Sequence, residues 1–308
     1  MTLRARPYQS EDDYWRIRAF LREVFLKNQR QELSWQTARL DYWRWHVNEN
    51  IFQQPLNQVF WLWENSSGEI AAVLNCEAPG DVFLQVHPRW LSADLEDEML
   101  TQGEAHLART EADGRKHLVI WAHQRDQMRA ELLIRRGYVR TGGREMQYYR
   151  TLNDPLPKAQ PLPGYTLRPL GDTDEHPARS WLSWRAFHPD EPDEKYEGWD
   201  WYLNVQRAPL YRRDLDLVAV SDSGEFAAFT TIWFDDVTRT GMFEPVGVAP
   251  EHQQRGLGKA ILSEGLHRLQ KLGATLAVVT GSSAAATALY GRVFSPQFML
   301  VEVWERFW

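Results

Sequence analysis

Gln253-Gln254-Arg255-Gly256-Leu257-Gly258 joins a cation, two amides and two glycines at a spacing suited to holding an anion. An apolar run ending Val246-Gly247-Val248-Ala249-Pro250 precedes it and a helix-like run from Lys259 to Leu272 follows, so it reads as a strand-to-helix turn. In such a turn, glycines let backbone N–H groups converge with no Cβ in the way, and the helix adds its positive N-terminal end. A pyrophosphate fits that cradle. Two rival phosphate loops fail on their residues. A P-loop needs glycine at 253 and Ser or Thr at 260, where the chain has Gln253 and Ala260; a dinucleotide turn needs a third glycine where Ile261 stands.

The elements around this loop occur twice. In the first half, strand Leu3–Tyr8 leads to a helix start at Ser10-Glu11-Asp12-Asp13, and a helical stretch runs near Trp35–Val47. A hairpin turns at Asn65-Ser66-Ser67-Gly68, and a strand ends in Val86-His87-Pro88. After it come helix Leu95–Thr110, strand Leu118–Ala122, helix Gln127–Arg136 and strand Glu145–Arg150. The order restarts at Tyr165-Thr166-Leu167-Arg168, with a second hairpin at Ser223-Gly224-Glu225, a strand end at Val248-Ala249-Pro250 and a strand at Leu276–Thr280. The offsets 167−3 = 164, 224−68 = 156, 250−88 = 162 and 276−118 = 158 agree closely enough to mark a duplication. Between the copies, Asn153–Pro163 is proline-rich and without periodicity, which reads as a linker.

Length and composition limit the rest. A chain of 308 residues is comfortable for two domains of about 150. With 43% hydrophobic and 25% charged residues it has an ordinary globular composition, and no apolar run approaches the roughly 20 residues of a membrane span. The N-terminus carries no apolar signal core, and a lone cysteine, Cys76, fits a reducing compartment; a cytoplasmic location is expected. Net charge of −7 with no Lys/Arg stripe argues against a nucleic-acid partner. His252 and His267 lack a second ligand at i+3 or i+4, so no metal is expected, and the 15 tryptophans read as core.

The Q-x-x-G-x-G loop behind a V-x-P strand end resembles motif A of the Gcn5-related N-acetyltransferases, the GNAT superfamily. Ser283-Ala284-Ala285-Ala286-Thr287-Ala288-Leu289-Tyr290 resembles the family's later helix, with Ser283 where asparagine is usual and no Gly-Phe after the tyrosine. The resemblance covers nearly the whole chain and is strongest in the second copy. It implies an α+β protein of two tandem GNAT folds, each a mixed, mostly antiparallel sheet flanked by helices, as mycothiol synthases also have. Residues 1–152 would form a degenerate GNAT-like domain, 153–164 the linker and 165–308 the catalytic domain. The first copy has no glycine in Arg89–Asp94 and carries Asp94, Glu96, Asp97 and Glu98 in its first turns, which disfavours a diphosphate. Its Leu132-Leu133 stands where the second copy has Leu289-Tyr290.

What the resemblance implies chemically is transfer of acetyl from acetyl-CoA to a primary amine of a small molecule, directly in a ternary complex. Acetyl-CoA would be held by Val246, Val248, Gln253, Gln254, Arg255, Gly256, Leu257, Gly258, Lys259, Ser283 and Ala286. Glu244 precedes the loop by four residues from Val248, and period-2 alternation puts both on one face; its carboxylate is a candidate base for the ammonium proton. The Val248 N–H would meet the thioester carbonyl, and Tyr290 would protonate the leaving thiolate. Pro245 cannot donate to a ladder, so an irregular or splayed strand is expected there. The acidic and aromatic segment His188–Tyr202 is a candidate roof for a cationic acceptor. A non-catalytic acyl-CoA sensor and a Fem-like aminoacyl transferase are the alternatives. The acceptor and the oligomeric state are not set by the sequence.

Overall fold

The computed structural model describes residues 2–156 and 162–308; the middle of the expected linker, residues 157–161, lies outside them. The chain divides into two compact units, 1–145 with 299–308, and 146–298. The second unit thus starts before the proline-rich segment, and the last ten residues join the first unit. Both reassignments follow strand pairing. Residues 146–151 run antiparallel to Leu276–Gly281, while Val301–Phe307 run antiparallel to His117–His123.

In the first unit, β1 (Arg4–Pro7) leads into α1 (Glu11–Lys27) and α2 (Thr37–Tyr42), which continues as a π-helical run over Trp43–Phe52 and is followed by α3 (Leu56–Val59). Then come β2 (Phe60–Glu64), β3 (Ile70–Cys76), β4 (Asp81–Val86), α4 (Ala93–His106), β5 (Arg109–Thr110), β6 (Lys116–His123), α5 (Gln127–Arg135) and the first part of β7 (Val139–Thr151). The order β1-β2-β3-β4-β6 is antiparallel except for the parallel β4–β6 pair.

The second unit carries the rest of β7, then β8 (Tyr165–Pro169), α6 (His176–Phe187), α7 (Trp201–Val205), β9 (Asp216–Ser221), β10 (Phe226–Asp235), β11 (Thr240–Val248), α8 (Leu257–Lys271), β12 (Leu276–Gly281) and α9 (Ala284–Val293). Strand β13 (Phe298–Phe307) closes the chain. Its sheet runs β7-β12-β11-β10-β9-β8, mixed and mostly antiparallel, with β11–β12 as its parallel pair. Helix α8 crosses back between those two strands, as a parallel connection requires. The core lies between the sheet and α8 and α9, around Ile232, Phe243, Ile261, Leu262 and Leu269.

A side-chain device repeats with the backbone. Arg6 grips Asp13 through both terminal nitrogens at 2.7 Å, and Arg168 grips Glu175 at 2.8 and 2.6 Å. The Gln9 and Gly171 N–H groups donate to the same two carboxylates. Both pairs stand 162 residues apart (168−6, 175−13), so each copy ties its first strand to its first helix in the same way. The ion pairs hold both carboxyls below the usual carboxylate range.

Candidate active site

The site begins with a defect in β11. Thr230 stands opposite Val246 but Ile232 stands opposite Phe243, so Glu244 and Pro245 together face the single residue Thr231 in a β-bulge. Parity shows what the bulge does. Gly241, Phe243 and Val248 all face α8, against Leu269, Gly265 and Gly258 in turn. Positions 243 and 248 differ by an odd number, so alternation flips once between them. Glu244 and Pro245 lie across from Thr231, whose Oγ1 accepts a hydrogen bond from Arg179 of α6 at 3.1 Å. Glu244 and Val248 therefore do not share a face: the alternation expected from sequence is broken by the extra residue.

Beyond the bulge the sheet opens. Strand β12 pairs with β11 only from Thr240–Leu276 to Phe243–Val279, while Thr280 and Gly281 keep their partners on β7. On the other edge of β11, the Ala249 N–H donates to the Ala227 carbonyl at 2.9 Å. Alternation then makes 229–247 the next bonded pair and turns the N–H groups of Val246 and Val248 away from β10, into the opening. The irregular strand expected at Pro245 is this splay.

The opening leads to the loop. After a turn at Pro250–His252, Gln254 (φ 61°) and Gly256 (φ 85°) take left-handed backbones on either side of Arg255. Gly256 is the N-cap of α8 and has no side chain to serve the first N–H groups, and the first turn of α8 carries no acid. The other helices near comparable turns are closed: Ser92 caps α4, Asp126 caps α5 and Ser283 caps α9. Among the described residues no side chain caps this 15-residue helix, so its first N–H groups and positive end suit an anion. The two glycines differ in purpose. Gly256 is needed for its φ, since a methyl placed on it would have Leu162 Cδ1, 3.7 Å away, as its nearest neighbour; a methyl on Gly258 would stand 2.9 Å from Leu289 Cδ2 of α9. Helix packing, a reason invisible in the motif, favours the second glycine, since Leu289 would have to give way to a larger residue.

The remaining expected residues fall as follows. Val246 and Val248 are half-buried against the core, Leu257 is buried, and Gln253, Gln254, Arg255 and Lys259 are exposed. The Gln253 amide folds back to donate to the Val248 carbonyl at 3.4 Å. Ser283 Oγ accepts from the Ala286 N–H at 3.2 Å, so both act in the α9 cap. Tyr290 is 6% exposed, with its ring edge against Gly281 at the end of β12. Its hydroxyl makes no hydrogen bond among the described residues, and burial, then the Glu244 carboxylate, hold its pKa above the usual tyrosine range. Tyr290 is thus protonated at neutral pH and within electrostatic reach of Glu244.

Sequence reading missed the supports. Trp233 Nε1 donates to the Glu244 carbonyl at 2.5 Å and pins the bulge. Under Thr231, Arg179 pairs with the fully buried Asp216 at 3.2 Å, which also accepts from Tyr202 and, at 3.0 Å, from Tyr211. Burial raises the Asp216 carboxyl above its ordinary range. No spacing rule joins these residues; strand pairing does. The acidic segment after α6 is partly self-paired, Glu191 with Lys195 at 3.2 Å and Asp193 with Arg185 at 3.9 Å, and Tyr196 packs edge-on against Trp181. The end of α6 reaches the splayed strand: a methyl on Gly247 would stand 3.0 Å from Ala186 Cβ.

In the first unit the corresponding turn is filled. Ser92 Oγ accepts from the Leu95 N–H at 3.2 Å, buried Glu96 pairs with Arg129 at 2.5 Å, and Glu98 accepts from Trp63 Nε1 at 2.9 Å. Of the carboxylates expected to repel a diphosphate, Glu96, Asp97 and Glu98 are structural partners of this unit. Leu132 and Leu133 are buried.

A mixed sheet splayed beside a glycine-started helix is the arrangement of the GNAT fold. Residues 177–294 match the model of the Acetyltransferase (GNAT) family. Over 252 residues, 75% of this chain and 71% of the relative, the chain is 28% identical to the mycothiol acetyltransferase of Paenarthrobacter aurescens, and equally so to that of Pseudarthrobacter chlorophenolicus. Among solved structures, a GCN5-related N-acetyltransferase from Sphaerobacter thermophilus superposes with TM-score 0.67 at 19% identity, covering 99% of this chain and 95% of that one. A tandem GNAT protein from the clavulanic acid biosynthesis pathway gives 0.63 at 13%, covering 99% and 98%. These matches support two GNAT folds in tandem and an N-acetyltransferase class. No helix among the described residues is long and apolar enough to cross a membrane.

Proposed function

We propose that the second unit transfers the acetyl group of acetyl-CoA to a primary amine of a small molecule, directly in a ternary complex. The observation that carries this reading is the splay: the Val246 and Val248 N–H groups point into an opening that ends on an uncapped helix. The family generally uses acetyl-CoA, and the N–H row offers an extended, amide-bearing co-substrate arm the bonds a strand would take. Its diphosphate then falls at Gly256 and the start of α8.

Glu244 takes the proton of the incoming ammonium, directly or through water, and the neutral amine attacks the thioester carbon. The Val248 N–H donates to the carbonyl oxygen as it gains charge. As the C–S bond breaks, Tyr290 gives its proton to the departing sulfur; the attacking nitrogen then loses its second proton to the tyrosinate, directly or through water, and Glu244 releases its proton to solvent, leaving amide, free thiol and one proton. Among the described residues the second unit has no cysteine to carry an acetyl-enzyme. Acetyl transfer is also what the names of the curated relatives state.

The test is calorimetric titration of acetyl-CoA into wild type, Glu244→Gln and Tyr290→Phe, paired with thiol release across a panel of small amines. Binding retained by all three with turnover lost in the variants supports transfer. Binding by all three with no turnover by wild type on any amine supports an acyl-CoA sensor instead.

A further inference from the structure

The side chain before Gly256 is held in place. Arg255 Nη1 donates to the Tyr165 hydroxyl at 3.1 Å and Nη2 donates to the Glu251 carbonyl at 3.0 Å. Arginine only donates, so the Tyr165 oxygen accepts, and its own proton is free for His252 Nδ1 at 2.9 Å. His252 Nε2 stands 3.8 Å from Glu225. The two rings meet edge to face at 5.7 Å and 83°. The carboxylate that would most easily neutralise Arg255, that of Glu251, is turned to Arg185 at 2.7 Å. Among the described residues no carboxylate pairs with the guanidinium, which keeps most of its five donors while losing its freedom to swing.

We infer that Tyr165 and His252 are positioning residues that hold the Arg255 guanidinium ready for the anionic part of the co-substrate. This rests on the reading of the loop as the acetyl-CoA site. Strand β8 and the turn before α8 thereby act together on one side chain. An exposed arginine would otherwise be ordered anew at each binding event, and pre-ordering removes that cost.

The experiment is a double-mutant cycle in the full chain, with the acetyl-CoA Kd measured by calorimetry for wild type, Arg255→Gln, Tyr165→Phe and the double variant. Phenylalanine keeps the ring that packs on the core and removes only the hydroxyl. We expect Arg255→Gln to weaken binding about tenfold and Tyr165→Phe about three- to fivefold, the size of one hydrogen bond. The double variant should bind no worse than Arg255→Gln alone. His252→Phe, which deletes the hydrogen bond to Tyr165, should copy Tyr165→Phe, and the losses should appear in the KM for acetyl-CoA rather than in kcat. Independent, additive losses, or a Tyr165→Phe protein that binds as wild type while Arg255→Gln is weakened, overturn the inference alone. Failure of wild type to bind, or an Arg255→Gln protein with unchanged Kd, overturns the placement of the co-substrate as well.

Discussion

Replacing Gly258 by alanine separates packing from ligand binding at the loop. The added methyl would stand 2.9 Å from Leu289 Cδ2 and 3.8 Å from Val248 Cγ2. The second distance is ordinary contact; the first requires Leu289 to retreat by about 0.6 Å to reach normal carbon–carbon separation. Leu289 Cδ2 is the far end of a flexible, half-buried side chain, so the strain is at the low end for overpacking, about 1 kcal/mol, and the helix gains back up to about 1 kcal/mol from losing a glycine. The two nearly cancel, so the melting transition of the second unit should move by less than about 4 °C. Leu289→Ala deletes the obstructing atoms, so the double variant should show a favourable coupling of about 1 kcal/mol. Gly256→Ala costs more, about 1–2 kcal/mol, because of the left-handed backbone at φ 85°, and Leu289→Ala cannot relieve it. Thermal unfolding of the single and double variants, with and without acetyl-CoA, reads all of these. Strict additivity of Gly258→Ala and Leu289→Ala would refute the packing account and return both glycines to the co-substrate.

Three further outcomes follow. Tyr290→Phe removes a hydroxyl that makes no hydrogen bond among the described residues, so stability below pH 9 should barely change while kcat falls about 10²-fold, as for loss of a general acid. Because the folded pKa of Tyr290 lies above its unfolded value of 10, wild-type stability should fall as pH rises beyond about 10, and less so in this variant. Arg129→Met leaves the Glu96 carboxylate buried without its ion pair, and should cost the first unit about 3–5 kcal/mol in chemical denaturation. Glu32 is buried beside Arg39, and burial pushes its carboxyl up to about 7 from 4.5. Its raised folded pKa makes its contribution complete below pH 4.5 and lost as pH rises through about 7, so Glu32→Gln should melt higher than wild type at pH 8 and alike at pH 4.

What sequence could carry was local. The Gly256 turn, the start of α8 and the disturbance at Pro245 each follow from the torsional habits of glycine and proline, and these need no partner. The face of Glu244 was not legible, because parity along β11 is decided by Thr231 opposite it. Gly258 owes its place to Leu289, 31 residues later, and Arg255 owes its posture to Tyr165, 90 residues earlier. The helical reading near Trp35–Val47 came out as α2 and a π-helical run, since spacing cannot separate ladders that differ by one residue per turn. Residues 299–308 read as the end of the second copy yet pair with β6, because pairing partners are not encoded in periodicity.

The bulge gives the site its logic. In a regular β11, Glu244 would share a face with Val246 and Val248, and base and co-substrate would compete for the same side. One extra residue turns Glu244 toward α6 and Thr231 while leaving Val246 and Val248 packed toward α8. On the proposed reading, the amine would reach Glu244 from the α6 face and acetyl-CoA would lie on the α8 and α9 side, the two meeting where β11 and β12 part. Tyr290, against Gly281 on the far lip, feels the Glu244 charge across that gap. On the proposed reading, the base Glu244 and the acid Tyr290 stand on opposite faces of one sheet, joined where the β11–β12 ladder is broken, and that separation would let one remove a proton while the other keeps its own.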